Sequence, residues 1–133
     1  MPPSPGRGAA AARYLAIASE GNRHLEADFD RLDGRDRARL DAARADLRDA
    51  AATERLFDRR LAALALPPET RTLAARLVAA NEARADLTAT AAGVPTLAGL
   101  RADERRLTAA NAPVETQVRA IRGSLGLPPP ETG

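Results

Sequence analysis

Apolar residues recur at helical spacing in four stretches of the chain, separated by short breaks rich in Gly and Pro. The first stretch, about 9–32, carries Tyr14, Ile17, Ala18, Gly21, Leu25, Phe29 and Leu32 on one face. The second, about 37–66, aligns Leu40, Ala43, Leu47, Ala50, Glu54, Phe57, Leu61 and Leu64. Those steps alternate three and four, the spacing of a heptad seam. The third, about 69–92, aligns Leu73, Leu77, Asn81, Arg84, Thr88 and Ala91. The fourth, about 97–125, aligns Leu97, Leu100, Glu104, Leu107, Asn111, Val114, Val118, Ile121 and Leu125.

The breaks carry stop and start signals. "LDGRD" offers Gly34 as a helix C′ residue and Asp36 as the next N-cap. An alternative is one long kinked helix, because the apolar phase nearly continues across Gly34. Pro67 and Pro68 cannot continue a helix but can open one, with Glu69 favourable in the first turn. Thr96 can cap the last helix. Pro113 lies inside that helix, removes one backbone bond and predicts a kink, or a restart with Asn111 as cap. Four helices of matching length with short linkers predict an all-α, antiparallel up-down-up-down four-helix bundle. Residues 1–8 read as a disordered Pro/Gly-rich tail, and residues 126–133 as an extended Pro-rich tail. Leu125 and Leu127 are candidate anchors that would strap this tail over the bundle.

Composition narrows how such a bundle is filled. The hydrophobic fraction is 44%, but much of it is alanine. Leu, Ile, Val and Phe make up roughly a fifth of the chain, near the lower limit for a folded domain. The core must therefore be Leu packed against close Ala. With 133 residues the chain suits one domain.

Charge excludes more than it suggests. The net charge is +2, and every basic residue is Arg. Arg alternates with Asp and Glu, as in "RDRARLDAARADLRD", which is the pattern of solvated i,i+3 and i,i+4 pairs. A nucleic-acid partner would need basic residues gathered on one face, so none is expected. No run reaches the roughly 18 apolar residues of a membrane span. The apolar patch at residues 14–18 is shorter than a signal core of about 7–15 residues, so the chain as written reads as cytoplasmic.

Catalytic and metal chemistry find little to work with. There is no Cys and a single His, His24, which points away from the apolar arc. That excludes Cys-ligated metals, disulfides and a nucleophile–His triad. Di-metal bundles need paired Glu-x-x-His motifs, which are missing. "DFDRLDG" departs from a calcium loop: Leu32 stands at its fifth position and Arg39 at its twelfth. The terminal "LPPPETG" only partly matches a sortase signal or a polyproline ligand. No cofactor or metal is expected.

What stands out is polar residues where core is expected. Glu54 sits at the centre of the second apolar arc, Arg84 at that of the third with Asn81 beside it, and Glu104 and Asn111 within the fourth. Asn22 lies at the edge of the first. The middles of antiparallel helices share one level, so most of these residues are expected in one mid-bundle layer. A buried charge needs a partner, and Glu54 with Arg84 is the expected pair. Such a layer could fix register, hold a small polar ligand, or lie exposed through a shifted register.

The runs "DLRDAAATERLFDRRL", "LVAANEARADLT" and "LTAANAPVETQVRAIRGSLGLPPP" resemble small Ala/Arg-rich helical proteins of high-GC actinobacteria. The resemblance spans most of residues 14–130 and brings no catalytic motif. Proteins of that kind are often secreted or lipid-anchored, which implies the cell envelope. The expectation is thus a non-enzymatic structural or protein-interaction bundle, with another protein or a homo-oligomer as partner. A small-polar-ligand binder using Asn22, Glu54, Asn81, Arg84, Glu104 and Asn111 is the alternative.

Overall fold

A computed structural model describes residues 6–130. Four helices follow one another: α1 (Arg7–Asp33), α2 (Leu40–Ala62), α3 (Pro68–Ala91) and α4 (Leu97–Ser124). They contain 27, 23, 24 and 28 residues, so each is about 35–42 Å long. α1 packs on α2, α2 on α3 and α3 on α4. The short linkers make each neighbour antiparallel, and the result is an all-α four-helix bundle. None of the helices is long and apolar enough to cross a membrane.

Local chemistry explains most boundaries and corrects several expected ones. α1 begins at Arg7, so residues 7 and 8 are helical rather than part of a tail; residues 1–5 lie outside the described residues. α1 and α2 are separate helices joined by a turn. Gly34 does not use a left-handed conformation, since its φ is −104°. It is needed for space: a Cβ there would lie 2.8 Å from the Asp30 carbonyl oxygen, which accepts the Gly34 N–H. Asp36 is not the N-cap of α2. That position falls to Arg39, without a side-chain cap bond, while Asp36 is buried. α2 stops at Ala62, four residues short of Leu66, because Pro67 and Pro68 force the preceding chain to extend. Pro68 then occupies the first turn of α3 with Glu69. Thr96 caps α4 by accepting the Gly99 N–H at 3.0 Å.

α4 neither stops nor restarts at Pro113, and Asn111 caps nothing. Pro113 and Ala109 are both exposed, so the Ala109 carbonyl that loses its amide donor faces water. The C-terminal end closes with a Schellman motif. Leu127 N–H bonds the Arg122 carbonyl at 2.8 Å, Gly126 N–H bonds that of Gly123 at 3.1 Å, and Gly126 adopts φ +72°. Leu125 is buried and Leu127 packs on the core, as the strap predicts, and Arg122 Nε donates to the Pro128 carbonyl at 2.6 Å.

The core is divided. One apolar cluster, at the end bearing the C-terminal strap, gathers Tyr14, Leu61, Leu66, Leu77, Val114, Ile121 and Leu125 with small Ala residues. A second, near the α1–α2 turn, gathers Leu32, Leu47, Leu100 and Leu107 with Ala43, Ala91 and Ala92. Between the two lie polar side chains, and α1 and α4 do not share the close packing of the other helix neighbours.

Candidate functional site

The polar network begins on α2. Glu54 is 2% exposed, so its charge must be met inside the protein. Arg84 Nε donates to Glu54 Oε2 at 2.9 Å, and the Thr88 hydroxyl lies 2.9 Å from Glu54 Oε1. The same hydroxyl lies 3.0 Å from the Arg84 carbonyl. Burial pushes the Glu54 carboxyl up, while Arg84 and the bond from Thr88 pull it back.

Arg84 does more than neutralise Glu54. Its Nη2 donates to Asn81 Oδ1 at 2.7 Å, and its Nη1 to Asn111 Oδ1 at 3.1 Å. Asn81 is itself buried. Its amide nitrogen donates to the Glu54 backbone carbonyl at 3.2 Å and to Asp58 Oδ1 at 2.7 Å. Both amide hydrogens and the amide oxygen of Asn81 are therefore used. The expected pair between Glu54 and Arg84 is formed, and Asn81 and Asn111 complete it.

Two expected members stand apart. Glu104 bonds Arg101 at 2.6 Å rather than joining the network. It is the eighth residue of α4, about two turns before the helix middle, and heptad position alone does not report that depth. Asn22 is exposed on α1, at the rim, and Asn111 is also exposed although bonded to Arg84. α1 and α4 are not drawn together at this level, which leaves both amides in contact with solvent.

Asp58 was not expected. It is 2% exposed, and its Oδ2 has no hydrogen-bond partner. Burial and the neighbouring Glu82 and Glu54 carboxylates raise its pKa to about 7 against the pull of Asn81. The signal was available: Asp58 follows Glu54 by one turn, on the same face. A related group holds α1 to α2. Asp28 and Asp46 are buried, both bond Arg31, and each keeps one unpartnered oxygen. Burial and Asp49 raise Asp28 to about 7, and burial and Asp36 raise Asp46. No group of three metal-ligating side chains forms among the described residues.

The network is the floor of a groove between α1 and α4. Two cavities lie along it, about 300 Å³ and 320 Å³. Leu25, Glu54 and Arg84 border both. The one toward the strap is walled by Tyr14, Phe57 and Val118, with Arg119, Arg122 and Glu115 around it. The one toward the α1–α2 turn is walled by Phe29 and Leu107, with Glu26, Asp33 and Glu104 around it. Apolar walls with a polar centre can accept an amphipathic surface, or a small molecule with one polar group. No protein-family model, curated protein or solved structure matches the chain.

Proposed function

We propose that this chain is a non-enzymatic helical bundle that works by binding a protein surface along the α1–α4 groove. The observation that carries this reading is the contrast between floor and walls. Three nitrogens of Arg84 are already bonded to Glu54, Asn81 and Asn111, so the charges of the floor are met internally. Among the described residues no helix covers the apolar walls above it. From Tyr14 to Asp33 the groove follows five turns of α1, about 29 Å at 1.5 Å per residue. That length suits an amphipathic helix laid in a groove, with anchors three and four residues apart.

The test is site-specific photo-crosslinking in the living source cell. A crosslinking residue at Asn22, on the groove rim, should give a protein adduct. The same residue at Ala79, exposed on α3, should not. No adduct from Asn22, or equal adducts from both positions, would contradict the reading.

One observation favours a second reading, a small polar ligand. The Arg84 side chain is 19% exposed and borders both cavities. Their volumes stand at the lower end of the roughly 300–1,000 Å³ typical of ligand sites. A small molecule retained in native mass spectrometry, and lost from Arg84→Leu, would favour it over the first.

A further inference from the structure

The groove is electrically lopsided along its length. Around the cavity near the strap stand Arg119 and Arg122 against one carboxylate, Glu115. Around the cavity near the α1–α2 turn stand Glu26, Asp33 and Glu104, with Arg101 within 3.9 Å of Asp33 and Arg37 near Glu104 offsetting two of the three charges. The centre, at Asn22, Thr108 and Asn111, is neutral at its rim. Basic end, neutral centre and acidic end therefore follow one another along a single face.

A two-fold axis through the centre of such a face turns it into its own complement. The basic end of one copy meets the acidic end of the other, twice, and the neutral amides meet at the axis. An isologous interface requires this self-complementarity. A parallel arrangement would set like charges together and is disfavoured. The face is about 29 Å long by two helix diameters of about 10 Å. Its ridged surface is then of the order needed for the roughly 800 Å² per partner of a standard interface.

Resting on the groove as the binding surface, we propose that its occupant is a second copy of this chain, packed antiparallel through α1 and α4 about a two-fold axis near Leu25 and Asn111. About that axis each α1 faces the partner's α1 and each α4 the partner's α4, so the two grooves close on one another. Half-buried Leu25, Phe29 and Val118 supply the apolar contact, and the charged ends set orientation. Because those ends are exposed, the association weakens with added salt.

Sedimentation equilibrium of the full chain, with charge-reversed variants, tests this. The average mass should rise with concentration from the 14.0 kDa chain mass toward twice that value. Arg119→Glu makes both ends acidic, and Glu26→Arg/Asp33→Arg makes both ends basic. Both alter exposed positions, and circular dichroism should show each still helical. Each variant alone should dissociate at least tenfold more readily than the parent. An equimolar mixture of the two should recover association, because each end again meets its opposite. A parent that stays at single-chain mass into the millimolar range overturns the proposal, as does a mixture no tighter than its components. The Asn22 photo-adduct separates this failure from that of the groove reading. An adduct of twice the chain mass supports the second copy, another mass keeps the groove but overturns this occupant, and no adduct sinks both.

Discussion

Replacing Asp58 with Asn should remove a pH dependence of stability that the structure builds into the α2–α3 seam. Burial raises the Asp58 pKa to about 7 in the folded chain from its ordinary value of 3.8. Between those values the folded state holds a proton that the unfolded state releases. Stability from this group is therefore fully present below about pH 4, falls as pH rises, and is gone above about pH 7. At ~1.4 kcal/mol per unit the ceiling is about 4 kcal/mol. Solvent reaches the neighbouring Glu82, whose side chain is 43% exposed, so about 2 kcal/mol is the expected size. Asn resembles the protonated acid. It keeps the oxygen that accepts from Asn81 and offers an N–H toward Glu82. Urea unfolding followed by circular dichroism at pH 5 and pH 8 gives the readout as parent minus variant. This subtraction removes the parallel titration of Asp28, which sits on the α1–α2 seam with Asp46, Asp49 and Arg31. About two thirds of that titration falls between the two pH values, so the parent should lose about 1 kcal/mol more than Asp58→Asn. A parent that gains stability over this range relative to the variant would refute the reasoning.

Arg84→Leu alone should cost about 3 kcal/mol, because it leaves Glu54 buried without its cation. Glu54→Leu/Arg84→Leu should be at least as stable as the parent in the same urea assay. Gly34→Ala should lose about 1–3 kcal/mol, since its Cβ would meet the Asp30 carbonyl oxygen, and Gly8→Ala, with open space at the Cβ, should not. Thr96→Ala should lower stability by about 1 kcal/mol through the missing bond to the Gly99 N–H, and thermal unfolding reports it.

The helices were legible because Leu and Ala hold helical spacing through all four, and because Pro67, Pro68 and Thr96 punctuate the breaks. The pairing of Glu54 with Arg84 was legible for a similar reason: a charge at the centre of an apolar arc has few places to go. Asp28 and Asp46 were not, and Asp58 was passed over although it follows Glu54 by one turn. α2 packs between α1 and α3, so it buries two stripes rather than one seam, and a single heptad stripe leaves the second unseen. Asn22 and Glu104 show the opposite failure. Both fall on or beside an apolar stripe, yet the stripe does not say how far α1 stands from α4, nor at which depth Glu104 lies. Gly34 shows that a loop Gly can be required for space rather than for a left-handed turn.

On the proposal above, the polar floor holds the bundle and the groove above it is the binding surface. Photo-crosslinking from Asn22 in the Glu54→Leu/Arg84→Leu background addresses that separation most directly. The variant should fold and give the same protein adduct as the parent. A folded variant that gives no adduct would contradict the account, because the network itself would then be what the partner reads.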